Sequence, residues 1–327
     1  MINRIQDDIV RNWPKNWNVP VVSIQCITFN QESYIAQALD SFLMQETTFP
    51  FQVVVHDDAS TDNTANIIRE YEAKYPLIIK PIYEVENQFS KHDGSLSRII
   101  NPCLKGEFVA FCEGDDFWIN PSKLQKQVDF LKSNSDYSMC FHRAQLKYEK
   151  EGLTCRLKCD NIENREYAPK EMLERWIVPT ASIVMRRKCL DYTIKGSKRM
   201  LSGDIFIVLK SGAMGKIRGM SDCMSVYRVQ ENGVTYNQAA MRKRTMLYPL
   251  HFECILENFP GMATKQVKRN LSEAFFYRAM IQESVKDSVS DYVKSFVCSE
   301  YMFSVVLRRM IRKKIKSLLC KMHLVSG

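Results

Sequence analysis

The chain has 327 residues, of which 45% are hydrophobic and 25% charged, a balance that excludes a disordered protein and predicts a substantial core. The first twenty residues lack a signal-peptide stretch, and no run of about twenty apolar residues occurs, so we expect neither secretion nor a membrane-spanning helix. The net charge of +9 is concentrated in residues 301–327, which hold seven Lys or Arg and no acid, whereas the rest carries 39 basic and 37 acidic residues. This nearly neutral body argues against nucleic-acid binding.

The eleven cysteines are scattered along the chain. Cys155 and Cys159 form the close pair, but no second pair and no histidine stand at zinc spacing from them. Reduced thiols in a cytosolic protein are therefore favoured over a metal site at this pair.

Strands and helices alternate through the first 134 residues. Apolar, β-branched runs predict strands at 19–30, 51–60, 77–84 and 107–113. Helical spacing of apolar residues predicts helices at 31–45, 61–76 and 120–134, with loop and helix in 86–105. This alternation is typical of an α/β protein with a doubly wound, mostly parallel sheet, whose ligands bind at the carboxyl ends of the strands.

The pattern becomes less regular beyond residue 150. Strands are predicted at 137–150, 177–187 and 224–233, a polar insertion at 155–170, a helix at 202–213 and helical structure in 241–327. We therefore expect a first domain over 1–240 and a helical C-terminal region over 241–327.

Carboxylates collect at two of the predicted strand ends. Asp57 and Asp58 end one strand, and Glu113, Asp115 and Asp116 follow another in FVAFCEGDDFW. Carboxylates that meet at one sheet edge suit Mg²⁺ or Mn²⁺, which take oxygen ligands from one or two carboxylates and from substrate phosphates. The alternative is a solvated acidic turn in which Asp116 caps the next helix.

Three segments in order carry a family resemblance: VSIQCITFNQESYIAQALDSFLMQ, VVVHDDASTDNTANIIREY and LKGEFVAFCEGDDFWINPSKLQKQVDFL. In order and spacing they resemble glycosyltransferase family 2, whose members are inverting enzymes of the GT-A fold that use nucleotide-diphosphate sugars. The resemblance covers residues 19–145 and extends more loosely to about residue 235. It implies a nucleotide and metal half over 19–145 and an acceptor half over 146–240.

The resemblance assigns roles around the donor. It implies that the nucleoside faces Thr28, Phe29, Asn30 and Glu32, with Arg98 as a basic residue near the nucleotide. Asp57 is expected to accept a hydrogen bond from the base, and Asp58 to support the turn. Glu113 and Asp115 occupy the DxD position, where Asp115 would bind Mn²⁺ or Mg²⁺ at the diphosphate and Glu113 would lie near the ribose or a metal-bound water.

The resemblance also assigns the chemistry. Inversion requires one base to take the proton of the acceptor hydroxyl, and Asp204 in LSGDIFIVL matches the family's base. Without the other motifs, Asp204 is better explained as a plain helix-start aspartate that needs no function. The sequence departs from the family at Gln230, which replaces a histidine that often ligates the metal. An amide oxygen ligates more weakly, so this position leaves room for a non-catalytic copy.

Two further residues near the acidic motif are candidates for the acceptor side, Asp116 and Trp118. Trp118 follows Phe117, and the two rings could form an apolar wall against a sugar. The alternative is that both rings are core residues beside a strand end.

The C-terminal segment 303–327 has an amphipathic pattern. Its apolar residues fall on one helical face, namely Phe303, Leu307, Ile311, Ile315, Leu318 and Met322, and its basic residues on the other. This pattern favours a helix in the plane of an anionic membrane surface. A helix docked on the domain and a basic arm for nucleic acid are the alternatives.

Together these features predict a metal-dependent glycosyltransferase at the inner face of a bacterial cytoplasmic membrane. It would transfer a hexose or N-acetylhexosamine, with a UDP-sugar as expected donor and a lipid-linked saccharide of a surface polysaccharide as expected acceptor. The alternatives are a decayed protein that only binds nucleotide sugars or glycans, and a Mg²⁺-dependent phosphohydrolase.

Overall fold

A computed structural model describes residues 4–151, 159–230 and 238–298 of the chain. Its strands are β1 (Val22–Thr28), β2 (Phe51–Asp57), β3 (Ile79–Tyr83), β4 (Phe108–Phe111), β5 (Phe117–Trp118), β6 (Tyr137–Tyr148), β7 (Val184–Arg186) and β8 (Lys216–Val229). Its α-helices are α1 (Gln6–Val10), α2 (Ile35–Leu43), α3 (Thr64–Lys74), α4 (Ser95–Ile100), α5 (Lys123–Ser133), α6 (Pro169–Glu174), α7 (Gly203–Met214), α8 (Gln238–Asn258), α9 (Thr264–Ile281) and α10 (Val285–Cys298).

The described strands form one sheet in the order β3-β2-β1-β4-β7-β6-β8-β5. The first four strands of this order pair in parallel, because helices α2, α3 and α4 provide the crossovers between them. All of β2 is buried, as a strand covered on both faces must be. The carboxyl ends of β1, β2 and β4 therefore meet at one edge of the sheet.

The second half of the sheet is mixed. β7 pairs antiparallel with β4 and β6, β6 and β8 are parallel, and β5 is antiparallel to β8. β7 is shorter than the predicted strand 177–187, because Thr180–Ser182 forms a 3₁₀ turn before it. The prediction of an α/β fold with a mostly parallel sheet, followed by helices, is confirmed. The antiparallel strand pairs are β4 with β7, β6 with β7, and β5 with β8.

The described chain divides into two compact units. The first contains the described residues up to Lys198 and those from Ser202 to Gln230, and so includes the whole sheet. The second contains Arg199–Leu201 and helices α8, α9 and α10. No helix among the described residues is long and apolar enough to cross a membrane.

All nine cysteines within the described ranges are free thiols. Cys159 is buried, and its Sγ donates to the carbonyl oxygen of Ala144 over 3.2 Å, while Cys155 lies outside the described residues. Burial raises the pKa of buried thiols such as Cys112 and Cys140, which keeps them protonated and unreactive.

One charged side chain lies in the core of the sheet domain. Lys123, the first residue of α5, is fully buried, and its Nζ lies 4.0 Å from the centre of the Trp118 ring. Nζ has no hydrogen-bond acceptor among the described residues. Burial therefore lowers the pKa of Lys123 to about 7.

This burial predicts how Lys123→Met changes the dependence of stability on pH. The folded protein holds Lys123 neutral above about pH 7, whereas the unfolded chain keeps it protonated up to its ordinary pKa of 10.5. The unfolded state thus binds more protons, and the wild type gains up to about 1.4 kcal/mol of unfolding free energy per pH unit across this window. Lys123→Met should lose this gain and be the more stable protein at pH 6.

Urea unfolding at pH 6, 7.5 and 9 measures the effect. Lys126→Met is the matched control, since Lys126 is half-exposed and pairs with Asp222 over 2.6 Å. Unfolding free energies of wild type and Lys123→Met that run parallel with pH would show that Lys123 stays protonated in the core.

Candidate active site

The site is built on the adjacent ends of β1, β2 and β4. Thr28, the last residue of β1, is paired in register with Asp57, the last residue of β2. On the other side, pairing continues past the end of β4, because Gly114 donates its N–H to the carbonyl oxygen of Ile27 over 2.9 Å. Asp57, Thr28 and Gly114 therefore lie in a row across three strands.

The glycine of the Glu-Gly-Asp sequence is required by close packing. A Cβ on Gly114 would lie 2.5 Å from Gln31 Oε1 and 2.8 Å from Thr28 Oγ1, closer than such atoms approach in proteins. Thr28 Oγ1 itself donates to Gln31 Oε1 over 2.8 Å. The loop after β1 thus fixes the backbone between Glu113 and Asp115.

The three carboxylates after β4 repel one another in a poorly solvated place. Burial, followed by repulsion from Asp204 and Asp115, raises the pKa of Glu113 to about 8. Burial also raises the pKa of Asp115 and, with the charges of Asp115 and Glu113, that of Asp116. A cluster of this kind is stabilised by any added positive charge.

Arg228 supplies the fixed positive charge beside this cluster. It lies near the end of β8 with a nearly fully buried side chain, and its guanidinium is stacked 4.8 Å from the Tyr34 ring centre and 4.9 Å from that of Phe117. It also binds the side chains of Glu149 and Gln37. Its charge lowers the pKa of both Asp115 and Asp116, against the larger effect of burial.

Gln230 directly follows β8, two residues after Arg228, and its side chain contacts the acidic motif. Its Nε2 donates to Asp115 Oδ2 over 2.7 Å. The amide therefore binds the carboxylate as a donor here, and its oxygen would become a metal ligand only after the amide turns over. Ligation by Gln230 stays a prediction.

The donor set fits a cation that is shared with a substrate. Within the described ranges, no group of three or more His, Cys, Asp or Glu residues is arranged to hold a metal ion. Asp115 and the Gln230 amide are two protein groups with at most three oxygens, and Mg²⁺ or Mn²⁺ usually completes such a set with water and phosphate oxygens. The residues present therefore fit a metal that a diphosphate helps to bind.

The end of β2 carries a buried acceptor without a donor. Asp57 is buried, and its Oδ1 receives no hydrogen bond from any residue in the described part of the chain. Asp58, by contrast, accepts the N–H groups of Gln88 and Phe89 over 2.7 and 3.0 Å and so holds the loop after β3. Because an unsatisfied buried carboxylate oxygen is costly, Asp57 is well suited to accept a ligand N–H.

The loop after β1 is braced against the loop after β2. Asn30, with φ of 52°, accepts the N–H of Thr61 through Oδ1 over 2.8 Å, and Glu32 accepts that of Asn63 over 2.8 Å. Phe29 is 44% exposed between them. Asn30 and Glu32 thus position the loop through their side chains, and nucleoside contacts by Thr28, Phe29, Asn30 and Glu32 stay predictions.

Asp204 opens α7 and lies at the same edge as the acidic motif. α7 runs antiparallel to β6, since Ser138 near the start of β6 donates to the carbonyl oxygen of Ser211 near the end of α7. The first turn of α7 therefore points to the carboxyl edge of the sheet. The charge of Asp204 acts on Glu113, and the positive end of the helix dipole favours the carboxylate.

Two expected acceptor-side residues lie elsewhere. The Trp118 ring is 1% exposed, packs edge-on against Phe42, and donates Nε1–H to the carbonyl oxygen of Ala181 over 2.8 Å, so its assignment to the acceptor side is wrong. Asp116 is also buried, and its Oδ1 accepts the N–H of Arg228 over 2.9 Å. This bond joins Asp116 to β8 in the interior, so the assignment of Asp116 to the acceptor side is wrong.

Arg98 lies on α4. Its side chain is 64% exposed and pairs with Asp93 of the preceding turn through Oδ2 at 3.4 Å. A role near the nucleotide stays a prediction.

Sequence reasoning missed Arg228 and Gln31 as parts of the site. The signal for Arg228 was a charged residue inside the otherwise buried strand MSVYRV, two positions before Gln230 and hence on the same strand face. Gln31 had no such signal, because its role depends on the close approach of Gly114.

Comparison with known proteins gives three findings. The sequence model described as "Glycosyl transferase family 2" matches residues 23–191, more than half of the chain. Uncharacterized proteins of Mycobacterium bovis and Mycobacterium tuberculosis are 33% identical over 232 residues. That alignment covers 68% of this chain and 63% of the relative, so the chain spans less than two thirds of the relatives' length.

Solved structures share the fold. Staphylococcus aureus TarS residues 1–349 in complex with UDP-GlcNAc superimposes with a TM-score of 0.61 at 18% identity, covering 85% of this chain and 81% of that one. The mannosyltransferase PcManGT from Pyrobaculum calidifontis, in complex with GDP-Man and Mn²⁺, superimposes with a TM-score of 0.55 at 17% identity, covering 92% and 84%.

The buried position of Arg228 predicts a large effect of Arg228→Met on stability. The substitution leaves Asp115, Asp116 and Glu149 without their common counter-charge, and breaking a buried ion pair from one side costs about 3–5 kcal/mol. Urea unfolding at pH 8 measures this loss. Arg98→Met is the matched control and should cost about 0–1 kcal/mol, as is usual for an exposed pair. Equal losses for the two variants would contradict the counter-charge role.

Proposed function

We propose that this chain, which belongs to glycosyl transferase family 2, is an inverting glycosyltransferase that acts on a nucleotide-diphosphate sugar. The observation that carries the proposal is the meeting of three groups at one sheet edge: the donor-less Asp57 oxygen, the Asp115 carboxylate, and the Asp204 carboxylate that opens α7. We further propose that residues 1–240 form the transferase domain, with donor binding in 19–145 and acceptor binding in 146–240.

The donor is proposed to bind across the ends of β1, β2 and β4. Asp57 would accept a hydrogen bond from a ring N–H of the base, which uracil and guanine both offer, and we propose a UDP-sugar. TarS, a poly(ribitol-phosphate) β-N-acetylglucosaminyltransferase by name, is similar in fold and is complexed with UDP-GlcNAc, which supports this choice and the transfer of a hexose or N-acetylhexosamine.

Asp115, with Gln230 as the second oxygen ligand, is proposed to hold Mn²⁺ or Mg²⁺ at the diphosphate. When bound, the metal would supply positive charge to the leaving phosphates. PcManGT, which shares the fold, is complexed with GDP-Man and Mn²⁺, which supports the use of a divalent cation. Glu113 would lie near the ribose or a metal-bound water. Arg228 holds the acidic motif in place through its backbone N–H, which donates to Asp116.

Asp204 is proposed as the general base. It would take the proton from the acceptor hydroxyl while the acceptor oxygen bonds to the anomeric carbon and the bond from that carbon to the diphosphate breaks. Attack from the face opposite the leaving group inverts the anomeric configuration. Asp204 lies in the first turn of α7, at the positive end of the helix dipole.

The acceptor is proposed to be a lipid-linked saccharide of a bacterial surface polysaccharide, with the protein peripheral to the inner face of the cytoplasmic membrane. The support is the amphipathic pattern of residues 303–327, which lie outside the described residues. The polymer named for TarS supports a polysaccharide acceptor.

One observation favours a second candidate, a protein that binds nucleotide sugars without turnover. Gln230 replaces the family's histidine and donates to Asp115, a contact that fits the loss of metal ligation. A protein of this kind would bind UDP equally well with and without Mn²⁺. A phosphohydrolase, in turn, would hydrolyse UDP-sugars rapidly without any acceptor.

The metal role predicts that Asp115→Asn loses Mn²⁺-dependent binding of UDP while the protein stays folded. Unit charges about 4 Å apart interact by roughly 4 kcal/mol at an effective dielectric of about 20, so the dissociation constant should rise at least about 100-fold. Calorimetric titration with UDP, with and without Mn²⁺, measures it, and Asp129→Asn on the exposed face of α5 is the control. Binding like that of the wild type would remove Asp115 from the metal.

The base role predicts that Asp204→Asn keeps donor affinity and loses transfer. General bases typically contribute about 10²–10⁴-fold in rate. The rate of UDP release from a panel of UDP-sugars, with a bacterial lipid extract as acceptor source, should fall by a factor in that range. The affinity for UDP should be unchanged. Asp191→Asn is the control, because Asp191 ends the 3₁₀ helix Arg187–Asp191 and its side chain is exposed. Transfer that persists within about tenfold would assign the base to another residue.

A further inference from the structure

The last described helix, α10, presents an apolar stripe to solvent. The stripe consists of Val285, Val289, Val293, Phe296 and Val297, whose spacing places them on one helical face. Val285 and Val297 are 78% and 76% exposed, and the other three are each between 44% and 56% exposed. A contiguous apolar face of this kind marks an interaction site more often than scattered apolar residues do.

The opposite face of α10 is fixed against α9. Ser272 Oγ donates to the carbonyl oxygen of Ser295 over 2.6 Å, and Ser295 Oγ returns a bond to that of Ser272 over 2.8 Å. The Arg278 guanidinium binds both carboxylate oxygens of Asp291 over 2.8 and 2.6 Å. Because these buried polar contacts fix the rotation of α10 on α9, the stripe cannot turn inward without breaking them.

The sequence beyond α10 continues the stripe in the same helical phase. Phe303, Leu307, Ile311 and Ile315 each follow a stripe position (285, 289, 293 and 297) by eighteen residues, which is five turns at 3.6 residues per turn. From Glu283 to Ser326 the sequence contains neither glycine nor proline.

The helical unit carries a net positive charge. Residues 238–298 contain nine Lys or Arg and six Asp or Glu, and α10 itself exposes Lys286 and Lys294 beside Asp287. The following 29 residues add seven basic residues and one acid, Glu300. An apolar face on a net positive unit is the chemistry that binds an anionic lipid surface, where each basic residue near the surface and each buried CH₂ contributes.

We propose that the exposed stripe of α10 is a lipid-binding face, so that the described helical unit itself contacts an anionic membrane together with residues 303–327. This inference rests on the membrane attachment proposed above, and it assigns to that attachment a surface within the described structure. Attachment through two consecutive apolar segments would hold the transferase at the bilayer that carries its acceptor.

The test uses the full-length protein and vesicles of phosphatidylcholine, with and without phosphatidylglycerol. Val289→Ser with Val293→Ser removes the centre of the stripe and leaves the contacts to α9 intact, and valine and serine have similar helix propensities. Leu77→Ser with Val85→Ser is the matched control, because these two residues are exposed apolar side chains of the sheet unit. Thermal unfolding and sedimentation velocity accompany each variant.

We expect the stripe variant to bind anionic vesicles about tenfold more weakly than the wild type, because two valines no longer enter the lipid. Its binding should fall further at high salt than that of the wild type, because a smaller share of it is apolar. The control variant should bind like the wild type. In the Phe296→Trp protein, brominated lipids should quench fluorescence from the stripe.

Three results would overturn the proposal. Equal vesicle binding by stripe variant and wild type would leave membrane attachment in place but remove α10 from it. If the wild-type protein does not bind vesicles, both the lipid-binding role of the stripe and the proposed membrane attachment are wrong. A stripe variant that unfolds earlier or loses self-association, with unchanged vesicle binding, would show that the chain's own C-terminal segment or a second copy covers the face.

Discussion

The candidate site depends on the electrostatic repulsion among Glu113, Asp115 and Asp116, which the chain concentrates at the end of one buried strand. Burial and mutual repulsion raise their pKa values, so the cluster is stabilised only by positive charge or by protons. Arg228 provides a permanent part of that charge from below, sandwiched between two rings. In the proposed function, a cation bound together with the substrate diphosphate would supply the remainder at Asp115.

The parallel sheet brings the other parts of the site to this cluster. Parallel strands bring Asp57, Thr28 and Gly114 side by side, and the absence of a Cβ at Gly114 allows the first loop to press against the acidic motif. β8 adds Arg228 and Gln230 from the opposite half of the sheet, and α7 adds Asp204. The proposed donor, metal and base functions therefore derive from elements that are distant in sequence but end at one edge.

Much of this could be predicted from the sequence, because local patterns determine it. The alternation of buried strands and helices predicted the parallel sheet, and acidic strand ends predicted where side chains would meet. Contacts between distant segments could not be predicted. The burial of Trp118 depends on Phe42 and Ala181, and the counter-charge of Arg228 depends on the pairing of β5 with β8. Asn30 and Glu32 were expected at the nucleoside, but their side chains brace a neighbouring loop, a contact that only the folded chain reveals.

The most direct test of the central proposal, a cation shared between Asp115 and a nucleotide diphosphate, is pulsed electron paramagnetic resonance of Mn²⁺ added to the protein with UDP. We expect hyperfine coupling of the protein-bound Mn²⁺ to ³¹P of UDP, because the described residues offer too few ligands to bind the ion without phosphate oxygens. Protein-bound Mn²⁺ without phosphorus coupling, or UDP that binds while Mn²⁺ stays free in solution, would contradict it.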